Sequence, residues 1–191
     1  AAGGKTELMN ADGTAFSELK PVPAGMTAEI VLKNYVDARG GEKNISALKS
    51  FEQTGTMNMS GMQLGMTIKM KTPDKFKMSL SMGPQELMKQ VVNGKSGINV
   101  QMGQKSPMDA STLADVQLES DLLSVIHLDK YGMKAALKGV DLVNKEDCYV
   151  VEITKPDGTM NTDYYNVKSG LKVKSVSVGN EEDGGMIVES T

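Results

Sequence analysis

The residues best suited by type to chemistry are methionines: "TMNMSGMQLGMTIKMKTPDKFKMSLSMG", residues 56–83, holds seven of the chain's fifteen. Thioethers are soft ligands that suit Cu(I), and "MNM" places Met57 and Met59 on one parity with Met62 nearby. Methionine has a second use. Its three rotatable bonds and polarizable sulfur suit an apolar surface that must fit varied shapes.

The other reactive groups are isolated. One histidine, His127, and one cysteine, Cys148, cannot assemble a typical zinc site from imidazole and thiolate. His127 lies at the end of an apolar helical stretch near Asp129, where an imidazole interacts favourably with the last carbonyls. No nucleophile accompanies it as a general base would need. Cys148 opens an alternating segment and has no activating cation beside it, so it reads as a small packed residue. Glu181, Glu182 and Asp183 lack the alternating spacing of a calcium loop. Ser96, Ser106 and Ser111 have no Gly-x-Ser-x-Gly setting, and "GGKT" lacks the glycine spacing of a phosphate loop. No enzyme activity, metal or cofactor is expected within the chain.

Charge narrows the partners. The net charge is −3, and the basic residues are scattered lysines with a single arginine, Arg39, which argues against nucleic acid. No apolar run approaches the roughly 18–20 residues of a membrane-spanning helix. A chain of 191 residues can bury a sizeable core.

The elements that position these residues follow from periodicity. Residues 1–25 read as a linker or short hairpin, with a turn at Asp12-Gly13 and prolines at 21 and 23. Thr27 caps a helix whose Val31, Leu32, Tyr35, Val36 and Ala38 share a broad face, and Gly40-Gly41 ends it. A short helix over Glu42 to Leu48 follows.

From residue 52 the period becomes two. Met62, Leu64, Met66, Ile68 and Met70 alternate with polar residues and glycine, and Phe76, Met78, Leu80 and Met82 alternate with lysine and serine. A helical stripe through Met62, Met66 and Met70 loses to this reading. Leu64 and Ile68 complete the alternation, and Gly61 and Gly65 weaken a helix. Two half-buried antiparallel strands result, with lysine on the wet side. A strand to Val92, a turn at Asn93-Gly94 and a strand about Ile98 to Met102 extend the pattern. Residues 107–128 return to helical character, on one broken or two short helices, with apolar Leu113, Val116, Leu122, Leu123, Val125 and Ile126. Four strands follow at 133–140, 147–154, 159–167 and 171–178, and "MIVES" begins another. The expected class is α+β: a strongly curved antiparallel sheet, an unclosed half-barrel, wrapped around short helices.

"TAEIVLKNYVDARGGEKNISALKSFEQTGTMNM", "TPDKFKMSLSMG", "VVNGKSGINV" and "DCYVVEITKPDGTMNTDYYNVKSGLKVKSV" resemble LolA/LolB-like outer-membrane lipoprotein-sorting domains. The carrying features are the helix end from Tyr35 to Gly41, the Pro-Asp-Lys-Phe of Pro73 to Phe76, and the late Pro-Asp-Gly hairpin. The carrier's early-strand arginine, which holds its lid, has no counterpart, because Arg39 lies at a helix end. The segments are also similar to domains found C-terminal to pitrilysin/insulinase-type zinc peptidase modules. "GGKTELMNADGTAFSELKPVPAGMTAE" resembles the join, while the His-x-x-Glu-His motif is absent.

This resemblance implies a LolA-like half-barrel over residues 26–191, cut short at its C-terminus, with residues 1–25 as the join to an upstream domain. It implies a non-enzymatic domain of the bacterial cell envelope, periplasmic or outer-membrane associated. The expected partner is an acyl chain or lipoprotein, with an upstream peptidase-like domain as the alternative. The expected ligand face comprises Met62, Leu64, Met66, Ile68, Met70, Phe76, Met78, Leu80 and Met82, with Leu122 and Ile126 from the helical segment. Two uses of that face are open to the sequence: a closed core, and a cavity with an apolar occupant.

Overall fold

Thr27 opens the first helix, α1 (Ala28–Ala38), where its Oγ1 accepts the Ile30 N–H at 3.3 Å. Ala28, Val31, Leu32 and Val36 are buried along one side, as the 3.6-residue period requires. The chain leaves α1 through Gly40 N–H donating to the Asp37 carbonyl and Gly41 N–H to that of Val36. A short α2 (Glu42–Ser46) follows and buries Ile45.

The computed structural model describes residues 19–59, 62–178 and 187–190. The expected turn at Asp12-Gly13, the "GGKT" segment and the acidic run 181–183 lie outside them. The fold is α+β, with antiparallel strands and few short helices. The chain divides into two compact units. Lys43–Ser124 forms one, and the segments through Glu42 and from Val125 form the other.

The first unit is a six-stranded meander in the order β1 (Ser50–Met59), β2 (Met62–Lys71), β3 (Lys75–Met82), β4 (Gln85–Asn93), β5 (Ser96–Gln101) and β6 (Gln104–Pro107). α3 (Ala110–Ser120) then returns across it, opened by Asp109, whose Oδ1 accepts the Thr112 N–H at 2.8 Å. Val116 of α3 joins Phe76 and Val92 in a buried cluster.

The second unit holds a five-stranded sheet in the order β11-β10-β9-β8-β7, from β7 (Lys134–Val143), β8 (Glu146–Thr154), β9 (Met160–Asn166), β10 (Lys172–Val178) and β11 (Ile187–Ser190). Tyr35 of α1 meets Tyr165 of β9 edge-on at 5.2 Å between centroids. Cys148, Val150 and Tyr164 form a buried cluster with Leu19 packed on it. Residues 19–20 are thus more than an extended linker, since Lys20 and Val140 exchange backbone hydrogen bonds of 2.8 and 3.0 Å. Among the described residues no helix is long and apolar enough to cross a membrane.

Candidate functional site

The register of β2 against β3 decides what the methionine stretch builds. Met66 stands opposite Leu80, Ile68 opposite Met78, and Met70 opposite Phe76. Directly opposed residues project to the same side of an antiparallel pair, so the two oily sets form one surface. β4 extends it, with Met88 opposite Leu80 and Val92 opposite Phe76.

α3 covers one end of this surface. Ile68, Met70, Met78, Met108 and Leu113 pack around the Phe76–Val92–Val116 cluster, which makes that end closed core. Close approach there depends on Gly97. A Cβ at that position would lie 3.1 Å from Met108 Cγ and 3.3 Å from Leu113 Cδ1, with Met108 Sδ nearer still. Beside the core, Gln90 Nε2 donates to Asn99 Oδ1 at 3.3 Å, so the polar pair in this face satisfies itself.

The other end differs. Leu64 is 1% exposed and Leu80 is buried, yet Met62 and Met82 are 47% and 45% exposed at the neighbouring hairpins. Met66 and Met88 are half-buried between them. Met102 lies 67% exposed in the β5–β6 turn at the same end, its N–H donating to the Leu87 carbonyl. Exposed thioethers thus rim this end of the apolar face, and methionine's three rotatable bonds and polarizable sulfur suit contact with irregular apolar shapes.

Of the expected face, β2 and β3 therefore bring together all nine strand residues, and α3 takes Ile68, Met70, Phe76 and Met78 into core. Leu122 follows α3 and Ile126 closes a 3-10 turn (Ser124–Ile126), each half-buried, with Ile126 in the other unit. Met88 was missed because a polar Gln90 interrupts the oily parity of β4. Its pairing with Leu80 keeps the register that sets Val92 against Phe76, and the shift comes only beyond Leu80. Of the thioethers weighed for copper, Met57 pairs in register with Leu64 and Met59 with Met62. Among the described residues no group of three His, Cys, Asp or Glu could hold a metal ion.

The remaining candidates for chemistry, Cys148 and His127, both belong to the other unit. Cys148 is fully buried, its thiol donates to the Glu146 carbonyl at 3.5 Å, and burial pushes its pKa up, which disfavours a thiolate nucleophile. His127 separates the Ser124–Ile126 turn from a second 3-10 turn (Leu128–Tyr131), so it precedes a short turn rather than ending an apolar helix. A cavity of about 290 Å3 lies between α1 and the β9–β10 hairpin, lined by Val31, Ala38, Tyr149, Tyr165 and Asn166. Two of its polar groups are committed: Asn166 Oδ1 accepts the Lys168 and Ser169 N–H groups, and Tyr165 OH donates to Asp163.

No protein-family model and no curated protein matches the sequence. Solved structures do match. A DUF1329 family protein from Desulfovibrio piger aligns with a TM-score of 0.53 at 12% identity, over 84% of this chain and 76% of that one. A LolA superfamily protein from Nitrosomonas europaea aligns with a TM-score of 0.53 at 12% identity, over 86% of this chain and 76% of that one. At such identity the likeness is one of fold, and the fold of this chain is LolA-like: α+β, with open antiparallel sheets and few short helices.

Proposed function

We propose that the chain is a non-enzymatic domain of the bacterial cell envelope that takes an acyl chain or another apolar ligand at the methionine-rimmed end of its six-stranded sheet. The observation that carries this reading is the contrast along one face. Ile68, Met70, Phe76 and Met78 are sealed by α3, while Met62 and Met82 stand open beside buried Leu64 and Leu80. Large exposed thioethers grouped beside a buried apolar face fit an interaction site better than scattered surface hydrophobics do. The LolA-like fold supports the envelope assignment and a periplasmic or outer-membrane-associated location. Native mass spectrometry of gently purified protein, with organic extraction of whatever is bound, tests it. An acyl-containing ligand is expected, with weaker retention in the surface variant Met62→Gln/Met82→Gln. Ligand-free protein that also gives no saturable binding of an apolar fluorophore would overturn the reading.

A second reading makes the chain the accessory domain of a zinc-peptidase-like protein, joined through residues 1–25. It is favoured by Leu19 and Lys20, which dock on β7 and would hold such a join against the sheet. The full open reading frame tests it, since a frame with no upstream domain removes it.

A further inference from the structure

The opposite face of the six-stranded sheet carries a different message. Lys71 stands directly opposite Lys75 and Lys69 opposite Lys77 across β2 and β3. Lys89 lies opposite Ser79 on the same side, and Val100 links it in register to Lys105. Six ammonium groups thus share one face. The strand carboxylates of this sheet are Glu52, paired with Lys69 at 2.9 Å, and Glu86, paired with Lys89. Among the described residues no ion pair is made by Lys71, Lys75, Lys77 or Lys105. The unit's other acids lie mostly on α3 and its ends, at Asp109, Asp115, Glu119 and Asp121, against the apolar face.

A wet sheet face needs only polar side chains. Serine and threonine, which occupy neighbouring positions here, would meet that need without cost. Like charges placed directly opposite one another destabilise a sheet, so two consecutive lysine–lysine pairs oppose folding and call for another reason. The face is also poor in what a protein partner uses. It carries no aromatic residue and no arginine, the anchors that dominate protein–protein binding, and its apolar members are the aliphatics Val91, Ile98 and Val100 of β4 and β5. Lysine is a compact point charge without the planar fork that reads one carboxylate. Charges of this kind, spread over β2, β3, β4 and β6, fit a diffuse anionic surface.

We propose that this lysine face docks on an anionic phospholipid bilayer, held by charge and not by insertion. The apolar end with Met62 and Met82 belongs to the other face and the hairpin rim, so docking leaves it free. This surface is independent of the ligand reading, because a ligand-loaded protein that never docks sinks this proposal and leaves the other standing.

The experiment is co-sedimentation of the full chain with phosphatidylcholine vesicles containing about one-third phosphatidylglycerol, against pure phosphatidylcholine. Binding is expected only to the anionic vesicles. It should fall at least about tenfold in Lys69→Gln/Lys71→Gln/Lys75→Gln/Lys77→Gln, since each lysine near an anionic surface contributes severalfold. It should fall similarly for the unaltered chain in about 0.5 M salt, where screening reaches only a few ångströms. Lys134→Gln/Lys145→Gln, on β7 and its turn, should change it by less than about twofold per lysine removed. No retention on anionic vesicles, equal retention on neutral ones, or an equal loss per lysine in the β7 variant would overturn the proposal. Equally tight, salt-sensitive binding to soluble polyglutamate would assign the face to an acidic protein segment and overturn it too. The wild-type salt titration keeps the test decisive if the fourfold variant fails to fold.

Discussion

Val116 of α3 and Phe76 of β3 share one buried cluster, and each is 4% exposed. The pair joins helix to sheet, so its loss measures how firmly α3 closes its end of the methionine face. Phe76→Ala should cost about 3–5 kcal/mol, from lost burial plus the cavity left behind. Val116→Ala should cost less, and the double variant should fall short of the sum by about 0.5–3 kcal/mol, since both deletions open one void. Urea melts of the four proteins check this. Strict additivity would mean that the two side chains do not share a packed site.

Gly139 of β7 admits the chain that enters from residue 19. A Cβ there would lie 2.6 Å from Leu19 Cβ and 2.8 Å from the Lys20 carbonyl oxygen, and backbone cannot yield as a flexible side-chain tip would. Gly139→Ala should therefore cost about 1–3 kcal/mol through overpacking. The cost should fall on the docked segment first. Amide exchange at Lys20 and Val140, which bond each other, should accelerate before the β8–β9 amides do. Unchanged exchange at both would show that the segment is held elsewhere.

Asp109 gives α3 a pH dependence with a definite sign. The Thr112 backbone N–H, and then its hydroxyl, hold the Asp109 carboxyl below the usual aspartate range. A depressed folded pKa contributes stability above the unfolded value, near 3.9, and that contribution is lost as pH falls through the folded value. Exchange protection along α3 should thus weaken on acidification below about 4. Asp109→Ser, which caps without a titrating group, should flatten that dependence. Identical acid profiles for the two proteins would remove Asp109 as the cause.

Much of this was legible in the residues because period and punctuation agreed. The unbroken alternation from Met62 to Met70 and from Phe76 to Met82 specified two strands and their shared oily face. Thr27 and Gly40-Gly41 bounded α1 as found. β6 was missed because Gln104–Pro107 is exposed throughout and carries no alternation, so only its backbone pairing with β5 defines it. The extent of α3's cover was also hidden. Leu113 and Val116 announce an apolar helix face, but which strand residues it seals depends on where a chain reversal sets the helix down. Likewise, the lysines read as scattered along the sequence. They become a patch only when the β2–β3 register puts Lys69 against Lys77 and Lys71 against Lys75.

Tyr165 and Asp163 supply the alkaline counterpart. Asp163 is buried and accepts hydrogen bonds from Tyr165 OH at 3.1 Å, from Lys172 Nζ at 3.3 Å, and from the Ser175 hydroxyl. Burial, with the Asp163 charge adding to it, pushes the Tyr165 phenol far above its ordinary value. An unfolded tyrosine ionises near 10, so the unfolded state gains from losing that proton while the folded state keeps it. The stability tied to the neutral phenol is whole below about 10 and drains away as pH rises beyond it. Tyr165→Phe should cost about 0.5–1.5 kcal/mol near neutrality, the net worth of the lost hydrogen bond. Its deficit against wild type should then shrink as pH climbs past about 10, because phenylalanine has no proton to lose in the unfolded chain. Denaturation midpoints measured across that range check the sign. Curves that stay parallel would show that Tyr165 ionises as readily folded as unfolded, and that the contact with Asp163 does not hold its proton.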